Sequence, residues 1–215
     1  MWVLASRGRP KNLKRFIKCW KETKGSTPVY IRLDECDPEI ENYKKLNYPK
    51  EFHVVIESRA RLGRAMNEMV ERYPNEPWYG LLADDLIPQT QNWDQKLVIA
   101  ASNNFISQCN DLTRKPQNCC HPCIGGDLIR KIGWFALPVC THYCVELPWK
   151  ELTKRNPEIL KYLSDVVVEH AHYRFDKAEL DNTYKELKTL KHPDHEIWDQ
   201  WKLQHLDEFC IKALG

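Results

Sequence analysis

The sequence predicts an α/β domain, a mostly parallel sheet flanked by helices with a helical tail at its C-terminal end. Three observations predict it. Strand-length apolar runs alternate with segments of helical periodicity through the first half of the chain. The length, 215 residues, suits one domain. No internal repeat, low-complexity tract or Gly/Ser-rich linker divides it.

In order, residues 2–6 form a short apolar run that reads as a strand. Residues 11–22 carry apolar side chains at positions 13, 16, 17 and 20, the spacing of one helix face. Residues 28–33 and 52–57 read as the second and third strands. Residues 62–73, apolar at positions 62, 65, 66, 69 and 70, predict a helix. Residues 78–83 are a fourth strand ending at Asp84 and Asp85, followed by a helix near 91–105. In the second half, Gly125, Gly126 and Asp127 precede a short helix marked by Leu128, Ile129 and Ile132, then a loop rich in Pro, Cys and His. Residues 165–170 are a strand by β-branched content, and 177–213 read as two helices broken near His192 and Pro193.

Ligands of sheets wound this way bind beyond the carboxyl ends of the strands. That gathers the chemically interesting residues: Ser6 to Pro10 after strand one, Asp34 to Asp37 after strand two, Arg59 to Arg64 after strand three, and Asp84 and Asp85 after strand four.

Composition narrows the partners. Thirty-two basic against 30 acidic side chains leave a formal charge of +2, without the basic excess that marks a dedicated nucleic-acid binder. No stretch approaches a membrane span and the first residues carry no signal-peptide core, so a soluble, cytoplasmic protein is expected. Nine cysteines then read as buried thiols or metal ligands before disulfides. Eight tryptophans suggest pockets that stack flat or ring-shaped ligands.

Asp84 and Asp85 directly follow an apolar strand. Carboxylates are the natural ligands of hard divalent cations, and a cation there stabilises charge developing on a leaving phosphate. Read alone, the pair also fits a solvated turn. His170 and His172 stand two apart, so on a strand both face one side and offer imidazole ligands; the alternative is an exposed strand edge. The segments Cys119–Cys120–His121–Pro122–Cys123 and Cys140–Thr141–His142–Tyr143–Cys144 invite a zinc site, against the simpler reading of thiols packed as small hydrophobes. Arg59, Arg61 and Arg64 open a helix, which suits a diphosphate, or form a solvated basic face.

Taken in order, these motifs resemble GT-A glycosyltransferases, especially the family 2-like group and its short bacteriophage-encoded members. Leu4–Ala5–Ser6–Arg7–Gly8–Arg9–Pro10 is similar to that family's first nucleotide-binding loop. Asp34 stands where an acid contacts base or ribose, Leu62–Gly63–Arg64 to Asn67 looks like the family's Gly-x-x-x-Asn helix lead, and Ala83–Asp84–Asp85 resembles the Asp-x-Asp metal motif with its first acid replaced. The resemblance implies Mn2+ or Mg2+ at Asp85 with His170 or His172, and a nucleotide-diphosphate sugar, a UDP-sugar for preference, held by Ser6, Arg7, Arg9, Pro10, Asp34, Arg59, Arg64 and Asp84. It implies Glu146 or Asp127 as catalytic base, and an acceptor pocket lined by Trp134, Phe135 and Trp149. The acceptor it suggests is a hydroxymethylated pyrimidine in phage DNA, with a surface polysaccharide or protein hydroxyl as the alternative. It covers residues 1–184; residues 185–215 are expected to be a helical extension packed on the same domain. Two other classes stay open: a nucleotidyltransferase on a related sheet, and a zinc-stabilised nucleic-acid-binding module.

Overall fold

Trp2, Val3 and Leu4 are wholly buried, and the strand they form lies inside the sheet with a partner on each side. The computed structural model describes residues 1–113, 120–189 and 193–215, without the side chains of residues 187 and 188. Cys119 and His192 lie outside the described residues. Strand β1 (Trp2–Ser6) pairs in parallel with β2 (Val29–Asp34), and β2 in parallel with β3 (Phe52–Glu57). On the other side of β1 runs β4 (Trp78–Leu82), also parallel and buried at every position, as strands covered on both faces must be. The crossovers carry helices α1 (Pro10–Glu22), α2 (Ile40–Lys44) and α3 (Leu62–Arg72).

Beyond β4 come β5 (Leu86–Pro88), α4 (Trp93–Ala100), β6 (Ile106–Asn110), β7 (Cys123–Gly125), α5 (Gly126–Ile132), α6 (Leu147–Arg155), β8 (Leu160–His170), α7 (Asn182–Thr189) and α8 (Asp194–Leu214). The sheet order is β3-β2-β1-β4-β7-β6-β8-β5. Three short strands, β5, β6 and β7, and the helices α2 and α6 were not expected from sequence. β7 has three residues and β6 is polar at Ser107, Gln108 and Asn110, so neither carries a periodic signal. β8 begins at Leu160 rather than 165, because its first half pairs with β6 before a register shift between Cys109 and Asn110.

The two sheet faces have separate cores. Val3, Tyr79 and Leu81 face α3, α5 and α6 and meet Met66, Met69, Leu128 and Trp149. Trp2, Leu4 and Leu82 face the opposite way onto Leu13, Phe16, Trp93 and Leu97 of α1 and α4. Each side chain this fully buried contributes on the order of 1.5–3 kcal/mol, so the strand ends stand on a rigid base. Gly80 is required by this packing: a Cβ there would fall 2.1 Å from the Trp2 ring. On the first face α8 closes the layer, burying Trp198, Leu206 and Phe209 in the core that α5 and α6 share.

Candidate active site

Four parallel strands deliver their carboxyl ends to one edge, and a cleft of about 340 Å3 opens there. Ser6, Arg7, Arg9, Asp34, Arg59, Asp84, Asp85, Glu146, His170 and His172 all line it. At Gly8 the backbone turns through φ +68°, a left-handed conformation that suits glycine, and Arg7 and Arg9 on either side both face the cleft. Pro10 does not reach it; it opens α1 at a position where a missing N–H costs nothing.

Asp84 and Asp85 are both buried yet are treated oppositely by their surroundings. Asp84 accepts from the Ser6 hydroxyl at 2.6 Å and from Arg9 at 3.4 Å. Burial pushes its carboxyl up to about 6, against the pull of the Arg9 guanidinium. For Asp85 burial also opposes ionisation, but His170 and the Tyr184 hydroxyl hold it well below the usual carboxylate range. Tyr184 donates to Asp85 Oδ2 at 2.6 Å, whereas Oδ1 is buried without a hydrogen-bond donor and faces His170 Nε2 at 3.4 Å.

The meeting of Asp85 and His170 follows from strand pairing. β5 starts one residue after Asp85 and runs antiparallel to the end of β8, with Leu86 opposite His170 and the Ala171 N–H donating to the Asp85 carbonyl at 2.9 Å. His172 lies beyond the strand end; its ring stays 5.2 Å from that of His170, and its Nδ1 accepts the Arg174 N–H. Among the described residues no three His, Cys, Asp or Glu side chains form a cation site by themselves. Asp85 and His170 supply two oriented donors, one with a buried oxygen left over, which fits a cation whose remaining ligands come from a substrate.

Arg9 is the hub of the basic side. Its fork donates to Asp181 at 2.8 and 2.9 Å while its plane lies 3.8 Å over the Tyr184 ring. Its guanidinium is held firmly charged, since Asp84 and Asp181 outweigh its burial. Asp34 is engaged by Arg7 at 3.1 Å, by Arg32 at 3.3 Å and by the Ala60 N–H at 3.1 Å. Arg59 pairs with Glu186 across the cleft mouth.

Three expected residues and one expected pocket fall elsewhere. Arg64 sits on the outer face of α3, 71% exposed and paired with Glu68, because its neighbours Gly63 and Ala65 take the inward positions. Asp127 lies at the opposite edge of the sheet, paired with Arg130: β7 is antiparallel to β4, so Gly125 stands beside Trp78 at the start of β4. Pro10 has been placed above. Trp149 and Phe135 belong to the core, where Trp134 stacks on Phe209, and none of the three lines this cleft.

Gly63 and Asn67 serve the cleft through the chain opposite them. Gly63 N–H donates to the Thr141 carbonyl at 3.0 Å, and a Cβ there would lie 2.8 Å from the Cys140 carbonyl oxygen. Asn67 bridges Phe135 and Ala136 with its side-chain oxygen and the Ala136 carbonyl with its amide. From the far side Asp194 accepts from the N–H groups of Thr141, His142 and Tyr143. The segment so pinned carries His142, Tyr143, Cys144 and Glu146 to the cleft wall. Of the described cysteines of the zinc reading, Cys123 lies in one core and Cys140 and Cys144 in the other, packed as small apolar side chains, while Cys120 is half-buried and lines the cleft.

Sequence reasoning missed Tyr43, Arg32 and the roles of Asp181 and Tyr184. Tyr43 hydrogen-bonds Ser6 at 2.7 Å, and Arg32 is buried among the carbonyls of Leu33 and Ser58. An arginine inside the apolar run of β2 was the one available signal.

No protein-family model and no curated protein matches the chain. Among solved structures it is similar to the mannosyltransferase PcManGT from Pyrobaculum calidifontis, in complex with GDP-Man and Mn2+, at 11% identity over 99% of this chain and 72% of that one, with a TM-score of 0.57. A mycobacterial protein matches at 11% identity over 80% and 67%, TM-score 0.54. A protein from Desulfovibrio desulfuricans G20 assigned as a nucleotide-diphospho-sugar transferase matches at 11% identity over 93% and 96%, TM-score 0.52. Identities this low speak to architecture, and the architecture is that of the GT-A-like glycosyltransferase fold, the expected mostly parallel α/β sheet with flanking helices.

Proposed function

We propose that the chain is a glycosyltransferase that moves a sugar from a nucleotide-diphosphate sugar to an acceptor hydroxyl. One observation carries the reading. A buried carboxylate oxygen of Asp85 without a hydrogen-bond donor faces the His170 imidazole, beside the Arg9 guanidinium, at the carboxyl ends of the parallel strands. That is the donor set a cation-bridged diphosphate needs. Bound between Asp85 and His170, a Mn2+ or Mg2+ ion would neutralise charge on the departing diphosphate. The mannosyltransferase of the same fold is itself known with GDP-Man and Mn2+.

In this reading Arg9 and Arg7 bear on the diphosphate, and Asp34 and Ser6 border the nucleoside. Arg59 closes the outer rim. The acceptor oxygen forms a bond to the anomeric carbon as the bond from that carbon to the phosphate oxygen breaks, and the nucleoside diphosphate leaves. Glu146, at the start of α6 on the cleft wall, takes the acceptor proton as general base. For the donor we favour a UDP-sugar. For the acceptor, Arg59, Arg61 and Arg174 at the cleft suit a phosphodiester-bearing substrate such as DNA with a hydroxymethylated pyrimidine.

The test is a thermal-shift screen of UDP-, GDP- and TDP-sugars with and without Mn2+. At ligand near 100 times Kd the gain is about 2.7 kcal/mol, which raises Tm by about 5–10 °C in a chain of this size. Absence of any metal-dependent stabilisation across the panel would sink the proposal.

A further inference from the structure

We infer that Tyr184 is a positioning residue of the donor site, a role that rests on the glycosyltransferase reading and adds to it. Its segment crosses from the C-terminal part of the chain to the loop after β1. Thr183 donates to the Arg7 carbonyl at 3.1 Å, and Asp181 clasps the Arg9 fork and caps the Tyr184 N–H at 3.0 Å. Tyr184 itself is nearly buried and touches both halves of the site. Its hydroxyl ends 2.6 Å from Asp85 Oδ2 and its ring lies 3.8 Å beneath the Arg9 guanidinium.

The consequence is one of orientation. A carboxylate free to rotate offers either oxygen, or both, to a cation. With Oδ2 engaged by a phenol, Asp85 presents Oδ1 alone, on the side where His170 Nε2 stands. Outer partners of this kind set the attitude of a ligand and tune its affinity. The ring also holds Arg9, whose guanidinium reaches Asp84 and Asp181, by a cation–π contact. Packing does not need the hydroxyl: the ring's contacts with Tyr173 at 4.5 Å and His172 at 4.7 Å would be kept by phenylalanine. The hydroxyl therefore carries a separable task.

The experiment is calorimetric titration of the full chain with UDP and with GDP, in the presence and absence of MnCl2, for the wild type and Tyr184→Phe, with a thermal melt of each. The expected result is a variant whose melt falls by only the few degrees that loss of one hydrogen bond to a buried carboxylate brings, and that binds metal-free nucleotide within about twofold. Its Mn2+-dependent gain in affinity falls about tenfold or more, the usual size of such outer-partner losses. A merely structural tyrosine would weaken both titrations equally, and that result overturns the inference. So does an undiminished Mn2+ gain in Tyr184→Phe, which leaves the glycosyltransferase reading standing. A wild type that binds neither nucleotide with or without Mn2+ overturns both. Asp181→Asn, which keeps the tyrosine hydroxyl and loosens the Arg9 fork, is the companion variant. It is expected to weaken metal-free nucleotide binding while preserving the Mn2+ gain, and loss of that gain there counts against the hydroxyl.

Discussion

His170 stands 3.4 Å from Asp85 because Leu86, the residue after Asp85, is the register partner of His170 in the antiparallel ladder of β5 and β8. Two residues from distant parts of the chain are thus brought together by main-chain geometry. Asp85→Asn preserves shape while removing the charge that faces His170. Sugar transfer, read as nucleoside diphosphate release, is expected to fall by at least about a hundredfold with the circular dichroism unchanged. Activity near wild type in that variant, or indifference to EDTA, contradicts the role given to Asp85.

Arg9 makes a two-pronged contact with Asp181 and reaches Asp84 from a largely buried position. Lysine carries the charge but not the planar fork. Arg9→Lys is expected to weaken UDP or GDP binding about tenfold or more and to lower stability by about 1–3 kcal/mol, measured by calorimetry and chemical denaturation. Equal affinity in the variant would mean that Arg9 serves only its internal partners.

Asp194 is a wholly buried carboxylate receiving three backbone N–H groups and the Thr141 hydroxyl. Burial opposes its charge, but these donors hold its carboxyl below the ordinary 3.8. The sign follows directly: a depressed folded-state pKa means the unfolded chain binds the proton more readily. The stabilisation is present above about pH 4 and lost as pH falls through the folded value. Asp194→Ala is expected to cost about 3 kcal/mol at neutral pH and to flatten the acid limb of a stability-versus-pH curve. An acid limb identical to wild type would remove Asp194 from this account.

Gly63 leaves room for the Cys140 carbonyl, which a Cβ would approach to 2.8 Å. That oxygen belongs to the main chain, so relief requires moving the segment that carries Tyr143 and Glu146. Gly63→Ala is expected to destabilise by about 1–3 kcal/mol and to reduce sugar transfer more than nucleotide binding. A variant as stable and active as wild type shows that this segment yields freely.

Trp149 is fully buried, with its indole N–H donating to the Phe135 carbonyl at 2.5 Å. Trp149→Ala is expected to cost about 3–5 kcal/mol while the choice of acceptor among those used by wild type stays the same. A changed acceptor preference at unchanged stability would restore the ring to the binding pocket from which the structure removes it.

Much of this protein is legible in local pattern. The strands at 2–6, 28–33, 52–57 and 78–83 fall within a residue of β1 to β4, and the helices between them match α1 and α3, because each buries an apolar face whose period survives in one dimension. Once that alternation is read, the carboxyl ends of the strands follow, and Ser6, Arg9, Asp34 and Asp85 follow with them. Most of what escaped was too short or too polar for a periodic signature: β5 and β7 are three residues long, α2 five, and β6 is half polar.

The errors about the site share one cause. Asp127 looked like a cleft residue and lies at the far edge, since nothing in Gly125–Gly126–Asp127 reveals that β7 runs against β4. Arg64 was grouped with Arg59 by nearness in sequence, and helical rotation turns it to solvent. Trp134, Phe135 and Trp149 advertised a pocket, but the aromatic surface of α8 fills the space they border.

The amino-acid sequence by itself determined the class of fold and the edge of the sheet where the chemistry gathers, because strand, helix and loop preferences are local and additive. Only the tertiary structure decided which residues meet there. Strand direction, register and the return of the C-terminal segment bring His170 to Asp85 and Tyr184 between Asp85 and Arg9, and those are contacts between distant parts of the chain that no short window of residues encodes.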